Sequence, residues 1–292
     1  MTQQETNIVQ DTVVSVENLT VKYKLPRQHF LQPAPLMTAV DGVSFTVQAG
    51  ASLGIVGESG SGKSSTARAI MAIEKPTSGV VRLFGHDVST LSGSQLKALR
   101  PRFQMVFQDP YGSLDPRYSV ARILAEPLHG VSSKEVLDRS MRVLSEVGLK
   151  PDDLRKYPNQ FSGGQRQRIA IARALITRPS LIVADEAVSA LDVSVQAQVL
   201  NLMKDVQAEH NIAYVFITHD LAVVEYLCEE IVVLYKGRIV ESGRTRDVLA
   251  NPAHPYTRNL IEAMPQLGGE RHRKSSKVYP IIPVSTSHAA GT

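Results

Sequence analysis

Residues 57–64 have the residue types and the spacing of a loop that binds phosphate groups. The run Gly57-Glu-Ser-Gly-Ser-Gly-Lys63-Ser64 matches the pattern G-x-x-x-x-G-K-[ST]. Glycines allow such a loop to curl until successive backbone N–H groups point at phosphate oxygens. We expect Lys63 to reach the β- and γ-phosphates of a nucleotide and the Ser64 hydroxyl to bind Mg²⁺. The predicted nucleotide contacts of this loop are Gly57, Ser59, Gly60, Ser61, Gly62, Lys63, Ser64 and Ser65.

Two adjacent carboxylates follow an apolar stretch later in the chain. Leu181–Ala184 predicts a buried strand, and Asp185 and Glu186 come directly after it. In open α/β sheets, ligands bind outside the carboxyl ends of the strands. We expect Asp185 to hold Mg²⁺, directly or through water, and Glu186 to polarise the water that attacks the γ-phosphate. An ordinary strand end with two solvated acids is the alternative, and the phosphate loop disfavours it.

A third motif, Phe161-Ser-Gly-Gly-Gln165, precedes a predicted helix that is rich in arginine. Ser162 is a residue type that caps helix N-termini, and Gly163 and Gly164 allow the backbone to approach an anion closely. Taken alone, this pattern favours an ordinary capped helix start over an anion site.

Alternating strands and helices would position these motifs. Strands are expected at Val13–Tyr23, Thr38–Val47, Ser52–Val56, Phe103–Phe107, Leu181–Ala184, Ala213–Ile217 and Ile231–Tyr235. Helices are expected at Ser64–Ile73, Gly163–Ile176, Ser194–Glu209 and Asp220–Leu227. This alternation predicts a mostly parallel sheet with helices on both faces. The proline-containing stretch Lys24–Met37 is expected to loop out between the first two strands.

The stretch from Ser119 to Lys156 interrupts this alternation with a helical pattern. Ser132 and Glu135 have the spacing of a capping box. The residues predicted to share one face of the helix are Leu137, Met141 and Leu144, and Gly148 is the expected stop. The block therefore predicts a helical subdomain inserted in the α/β domain.

Composition and charge exclude several classes of protein. The chain has 292 residues, of which 43% are apolar and 21% charged, with a formal net charge of +4. Residues 267–292 carry +3 of that excess, so a basic tail accounts for most of it and nucleic-acid binding gains little support. No apolar run approaches the roughly 20 residues that span a bilayer, and the start MTQQETNIVQ is not of the secretory type. Cys228 is the single cysteine, so we expect a core residue and no cysteine-built metal or iron–sulfur site.

In their order along the chain, the three motifs resemble those of the nucleotide-binding subunit of an ABC transporter, over about residues 13–265. FSGGQ looks like the ABC signature, with Phe161 where leucine is more usual. The resemblance implies an α/β fold: a P-loop NTPase core of the ABC type, with a mostly parallel sheet, an N-terminal antiparallel β-subdomain and an inserted helical subdomain. It implies an ATPase domain over residues 1–250, its helical part at about 112–160, and a C-terminal extension with a basic tail over 251–292.

The resemblance also assigns roles to further residues. The signature residues that would contact ATP held by a second subunit are Ser162, Gly163, Gly164 and Gln165. Gln108 matches the Q-loop, which would sense Mg²⁺ and the attacking water, and His219 matches the switch histidine, which would donate a hydrogen bond to the γ-phosphate. Asp192 ends a D-loop-like stretch that would communicate across the dimer. Tyr23 would stack on adenine, with Phe30 as the alternative.

Two stretches are similar to dipeptide and oligopeptide importers: Phe107–Arg117 around the Q-loop, and Asn251–Thr257, which contains H-P-Y-T. The sequence departs from the usual family pattern at three positions: Asp115 replaces a common Asn, Ser65 a frequent Thr and Ala187 a frequent Pro. The resemblance implies an ATP-hydrolysing subunit, using ATP and Mg²⁺, that energises import of peptides or related small solutes at the cytoplasmic face of the inner membrane. Its implied partners are a second ATPase subunit (self or paralogue), two permeases and, indirectly, an extracytoplasmic solute-binding protein.

Three other functions stay open at this point. One is a soluble ABC-type ATPase that acts on nucleic acid or ribosomes, although the single motif set and the lack of sustained heptads disfavour it. Another is the ATPase of an exporter, and the third is a nucleotide-dependent regulator without turnover. The sequence leaves the cargo open, and it leaves open whether the dimer partner is a second copy or a paralogue, although the resemblance favours a paralogue.

Overall fold

The computed structural model describes residues 12–27 and 34–263. Its strands in chain order are β1 Thr12–Lys24, β2 Leu36–Gln48, β3 Ser52–Val56, β4 Ser78–Leu83, β5 His86–Asp87, β6 Phe103–Val106, β7 Leu181–Asp185, β8 Ala213–Thr218, β9 Glu230–Tyr235 and β10 Arg238–Arg244. They form two sheets, with strand orders β2-β1-β4-β5 and β10-β9-β3-β8-β7-β6.

The larger sheet is mostly parallel, as the sequence predicts. Strand β3 pairs in parallel with β8 and β9, and β7 pairs in parallel with β6 and β8, whereas β10 runs antiparallel to β9 at the edge. All residues of β3 and β8 are buried. Continuous apolar strands of this kind are typical of parallel sheets that are covered on both faces.

The smaller sheet is the N-terminal antiparallel one. Strand β1 pairs antiparallel with β2 and with β4. The expected loop Lys24–Met37 is shorter than predicted, because Tyr23 pairs with Met37 and Lys24 with Leu36 in the β1–β2 ladder. Pro26 and Pro35 of this stretch cannot donate to a ladder, and they lie outside both strands, whereas Pro33 lies outside the described residues.

The helices are α1 Lys63–Ile70, α2 Gly93–Leu99, α3 Pro110–Ser113, α4 Val120–Ala125, α5 Ser133–Glu146, α6 Gly163–Leu175, α7 Val193–His210, α8 Leu221–Leu227, α9 Thr245–Ala250 and α10 Pro255–Glu262. Short 3₁₀ turns cover Arg100–Arg102, Pro151–Arg155 and Pro158–Gln160. Within the described part of the chain, none of the helices has the length and apolar character needed to cross a bilayer.

Helix α5 confirms the predicted helix start and, for Met141 and Leu144 but not for Leu137, the predicted face. Ser132 caps the helix, since its hydroxyl accepts a hydrogen bond from the Glu135 N–H at 3.3 Å. Leu137 is 50% exposed, whereas Val143 and Leu144 are buried. The buried stripe is therefore set by the neighbours α4 and α6, and it is rotated away from Leu137.

The two faces of the larger sheet belong to two separate hydrophobic cores. Along β8, Val215 and Ile217 pack into the core shared with the antiparallel sheet and α1, while Tyr214 and Phe216 pack into the core that contains the helices α4 to α8. This alternation follows from the two-residue period of a strand. Cys228 is buried in the second core, as expected. The site motifs thus sit on a sheet that is fixed from both sides.

Gly54→Ala tests the packing of β3 against α8. A Cβ atom at Gly54 would lie 2.5 Å from Cγ1 of Val224 and 3.3 Å from the Cys228 sulfur. We expect this substitution to lower the free energy of unfolding by about 1–3 kcal/mol through overpacking, measured by urea denaturation. Gly93→Ala is the control, because a Cβ there meets no atom within 4 Å. A Gly54→Ala chain as stable as the control would contradict the close approach.

Candidate nucleotide site at the carboxyl edge of the sheet

The predicted site motifs meet because β3, β8 and β7 are neighbouring parallel strands. The last residue of β3, Val56, pairs with Thr218 of β8, and Ile217 pairs with Asp185 at the end of β7. The residues that follow these strands therefore emerge at one edge of the sheet. They are the phosphate loop 57–64, the Asp185–Glu186 pair and His219. This edge is where ligands bind in open α/β sheets.

The glycines of the loop are required by close backbone contacts. Gly57 and Gly62 have φ angles of 152° and 105°, in the region that favours glycine. A Cβ on Gly57 would lie 2.2 Å from the carbonyl oxygen of Leu234, and one on Gly62 would lie 2.4 Å from the carbonyl oxygen of Ala39. The loop is thus held between the backbones of β9 and β2, and it has the curled form that directs N–H groups toward an anion.

Lys63 is buried beneath the loop and donates to its backbone. Its Nζ donates to the carbonyl oxygens of Gly57 at 2.6 Å and Glu58 at 2.8 Å. Burial lowers the pKa of this ammonium, and the carboxylates of Glu186, Asp185 and Glu58 oppose that shift. The ammonium therefore lies among loop carbonyls and acidic side chains, where a phosphate group could compete for it.

Ser64 and Asp185 have the chemistry of a magnesium site. Burial first and the charge of Glu186 next raise the pKa of the Asp185 carboxyl, and the Ser64 hydroxyl opposes that shift. Nearby, the buried Ser61 hydroxyl has no hydrogen-bond partner within the described residues. Hydroxyl and carboxylate oxygens are the hard ligands that Mg²⁺ prefers. Phosphate oxygens and Mg²⁺ would complete these interactions, so the residues present fit both groups.

Glu186 and His219 follow the neighbouring strands β7 and β8, and their side chains contact each other. Glu186 has a left-handed backbone, with φ of 49°, and its N–H donates to the carbonyl oxygen of Ile217 at 2.7 Å. Its Oε1 lies 3.4 Å from Nδ1 of His219, a side chain that is 60% exposed. The left-handed backbone at Glu186 therefore directs the Glu186 carboxylate along the edge of the sheet toward His219.

Tyr23 lies beside the first turn of α1. Its hydroxyl is 3.0 Å from the Ser65 hydroxyl and donates to Glu74 Oε2 at 2.5 Å. Both contacts fix the ring next to the phosphate loop, where the sequence expects adenine to stack. The alternative residue, Phe30, lies outside the described residues. Glu74 is a contact that no sequence pattern indicated.

The signature residues form the start of α6. The Ser162 hydroxyl accepts from the Gln165 N–H at 3.3 Å, and Gln165 Oε1 accepts from the Ser162 N–H at 3.0 Å. This is a capping box, so the helix start inferred from the sequence is present. A Cβ on Gly164 would lie 2.2 Å from Cγ1 of Val195, and Gly164 therefore lets α6 pack against the start of α7.

Asp192 caps α7 next to this contact. Its Oδ1 accepts from the Val195 N–H at 3.0 Å and from the Ser194 hydroxyl at 2.8 Å. These hydrogen bonds lower the pKa of the Asp192 carboxyl.

Gln108 is exposed and lies two residues beyond the end of β6, which is the edge strand of the parallel sheet.

Besides Glu74, two further residues near the site were not predicted from the sequence. Arg68 lies one helical turn after Ser64 on α1, and its charge lowers the pKa of Asp185. The four-residue spacing from Ser64 is a signal that could have found it. Tyr256, from the H-P-Y-T stretch, accepts a hydrogen bond from the Glu58 N–H at 2.9 Å. Its separation of 198 residues along the chain leaves no local signal for that contact.

Comparison with known families identifies two regions. Residues 40–189 match the ABC transporter family, and residues 240–286 match the C-terminal region of the oligopeptide/dipeptide transporter family. A solved ATP-binding cassette, MJ0796, whose dimer is bound to ADP and Pi, has a TM-score of 0.68 and 30% identity, covering 80% of this chain and 99% of its own. CbiO1 from Clostridium perfringens, part of an ABC transporter complex, has a TM-score of 0.71 and 26% identity, covering 82% and 92%.

Curated relatives extend the likeness over most of the chain. The probable peptide ABC transporter ATP-binding protein y4tS of Sinorhizobium fredii is 51% identical, over 87% of this chain and 73% of its own length. The dipeptide transport ATP-binding protein DppF of Escherichia coli is 44% identical, over 97% and 85%. With the phosphate loop, the paired carboxylates and the fold in agreement, the chain belongs to the ABC transporter family, as an ATPase subunit.

Proposed function

We propose that this chain hydrolyses ATP to drive the import of peptides or related small solutes through membrane permeases. The observation that carries the proposal is a nucleotide site of the ABC type joined to a C-terminal region of the oligopeptide/dipeptide transporter type. The names of the relatives from Sinorhizobium fredii and Escherichia coli, which refer to peptide and dipeptide transport, support the solute class.

Within one chain, the site residues divide the work on the nucleotide. Tyr23 stacks on adenine, the backbone N–H groups of residues 57–65 surround the phosphates, and Lys63 binds the β- and γ-phosphates. Ser64 and Asp185, with Gln108, would hold Mg²⁺, which would neutralise charge on the phosphate oxygens. Glu186 polarises the attacking water and His219 donates a hydrogen bond to the γ-phosphate. The 3.4 Å contact between Glu186 and His219 supports their action at one phosphate.

A second ATPase subunit completes each site in this proposal. Ser162, Gly163, Gly164 and Gln165 contact the γ-phosphate held by the partner subunit, and Asp192 communicates across the interface. The exposure of Ser162 and Gln165 at the start of α6 supports this role, because a helix N-terminus attracts anionic groups. The ADP-bound dimer of MJ0796 supports the dimeric arrangement. Binding of ATP to both faces would shift the population toward the closed dimer.

The helical subdomain transmits this closure to the permeases. We propose an ATPase domain over residues 1–250, with the helical part at about 112–160, and a C-terminal extension over 251–292. Gln108 lies between β6 and α3, at the entry to the helical part, which supports a coupling role. The chain would act at the cytoplasmic face of the inner membrane, bound to two permeases, with an extracytoplasmic binding protein delivering the solute.

Lys63→Ala tests the phosphate loop. We expect ATP affinity to fall by about tenfold or more, since a hydrogen bond to a charged group contributes roughly 1.5–3 kcal/mol. Titration calorimetry on the purified chain measures this, with Lys97→Ala on the exposed face of α2 as the control. Unchanged ATP affinity in Lys63→Ala would count against the role of the loop.

Ser162 has a structural and a proposed catalytic role that substitutions can separate. Ser162→Ala removes the cap of α6 and should lower the free energy of unfolding by about 1 kcal/mol, whereas Ser162→Asn keeps a capping side chain. Both variants should lower ATP hydrolysis by about tenfold or more, because alanine has no donor and the longer asparagine side chain moves its donor away from the position of the serine hydroxyl, where it would contact transition-state charge. Ser132→Ala, which removes the cap of α5, is the control that loses stability and keeps activity. Full activity in Ser162→Asn would remove Ser162 from the site.

Glu186→Gln tests the catalytic assignment and the transport function together. The substitution keeps the size of the side chain but removes the carboxylate that polarises water, so ATP should bind normally, hydrolysis should stop and the closed dimer should accumulate. We would measure ATP binding, phosphate release and the dimer fraction by gel filtration with ATP and Mg²⁺. A normal hydrolysis rate would show that Glu186 is not the catalytic carboxylate.

The same variant can retrieve the transporter. Tagged Glu186→Gln chain, expressed in its native cell, is purified from gently solubilised membranes with ATP and Mg²⁺. We expect two multi-spanning proteins and an ATPase subunit, either a paralogue or a second copy, to be recovered with it. Lys63→Ala, which should not close, is the matched control. Recovery of ribosomes or nucleic acid in place of membrane proteins would contradict the importer function.

A further inference from the structure

Tyr256 connects the C-terminal segment to the phosphate loop. Its hydroxyl oxygen accepts a hydrogen bond from the backbone N–H of Glu58 at 2.9 Å. Its ring is buried and packs on Tyr235, with the ring centroids 4.2 Å apart. Glu58 is the second residue of the loop 57–64, so the contact falls on the part of the chain that is to surround the phosphates.

The peptide group that donates its N–H to Tyr256 also accepts a hydrogen bond from Lys63. The carbonyl oxygen of Gly57 accepts from Lys63 Nζ at 2.6 Å, and the N–H that donates to Tyr256 belongs to the peptide bond between Gly57 and Glu58. A trans peptide is planar, and its C=O and N–H point in opposite directions. Holding the N–H on Tyr256 therefore fixes the direction of the Gly57 carbonyl, and with it the place of the ammonium.

The segment that presents Tyr256 is itself fixed to β10. The carboxylate of Glu241 accepts from the N–H groups of Ala253 at 2.8 Å and His254 at 3.0 Å. His254 Nδ1 then accepts from the Tyr256 N–H at 3.1 Å and caps α10. These contacts leave the tyrosine little freedom, so it can act as a rigid support for the loop.

We propose that Tyr256 is a positioning residue for nucleotide binding, which orients the Gly57–Glu58 peptide and through it the Lys63 ammonium. The inference rests on the proposed function, in which Lys63 binds the β- and γ-phosphates. Because coupling of binding equilibria is reciprocal, nucleotide bound at the loop also stabilises the attachment of the C-terminal segment.

Tyr256→Phe removes the hydroxyl and keeps the ring that packs on Tyr235. We expect the affinity of the full-length chain for MgADP, measured by titration calorimetry, to fall about three- to tenfold, the range that corresponds to one hydrogen bond. Tyr235→Phe is the matched control, since it removes the hydroxyl of the other ring in this tilted pair, and it should bind MgADP like the wild type. MgADP affinity in Tyr256→Phe equal to that of the control would overturn the proposal.

A double-mutant cycle with Lys63→Ala separates positioning from general support of the fold. If Tyr256 acts through Lys63, the loss caused by Tyr256→Phe should shrink to less than twofold when Lys63 is absent, because coupled residues are not additive. The same loss in both backgrounds would show that Tyr256 only supports the fold, and it would overturn the proposal. Unchanged MgADP affinity in Lys63→Ala alone would instead refute the proposed role of the loop, and this inference with it.

Discussion

The parallel pairing of β3, β8 and β7 is the constraint on which the site depends. It places the residues after three strands that are distant in sequence at one edge, with Val56 level with Thr218 and Asp185 level with Ile217. Both faces of the sheet are covered, one by the antiparallel sheet and α1 and the other by the helical core. A change in the register of any one strand would shift the site residue at its end and would also exchange its side chains between the two hydrophobic cores, so packing and site geometry are held by the same interactions.

Within this frame, the site is a set of charges that compensate one another at close range. The ammonium of Lys63 is buried among loop carbonyls and near the carboxylates of Asp185 and Glu186. Burial and the neighbouring Glu186 raise the pKa of Asp185, while Arg68 and Lys63 oppose that shift. Nucleotide and Mg²⁺ bring charges of both signs, so they can replace these internal partners without leaving a buried charge unpaired.

The C-terminal segment that presents Tyr256 contacts the phosphate loop, and it also lies in a region that matches a transporter family. Residues 240–286 match a region of oligopeptide/dipeptide transporters. The described part of this region contains most of β10 and all of α10, and Tyr256 of α10 contacts the phosphate loop. The antiparallel pairing of β10 with β9 brings Glu241 to the place where it can hold the segment. The region that matches the oligopeptide/dipeptide transporter family therefore also contacts the phosphate loop.

The sequence by itself determined the central strands, the phosphate loop, the caps at Ser132 and Ser162 and the family, because each is a local pattern of apolar runs, glycines or capping residues. The structure added β4, β5 and β10, whose pairing partners, and not their own alternation, make them strands. It also moved the buried face of α5 away from Leu137 and joined Tyr23 to Glu74 and Tyr256 to Glu58. These features depend on contacts between residues far apart in the chain, and no pattern within one segment records which distant segment will pack against it.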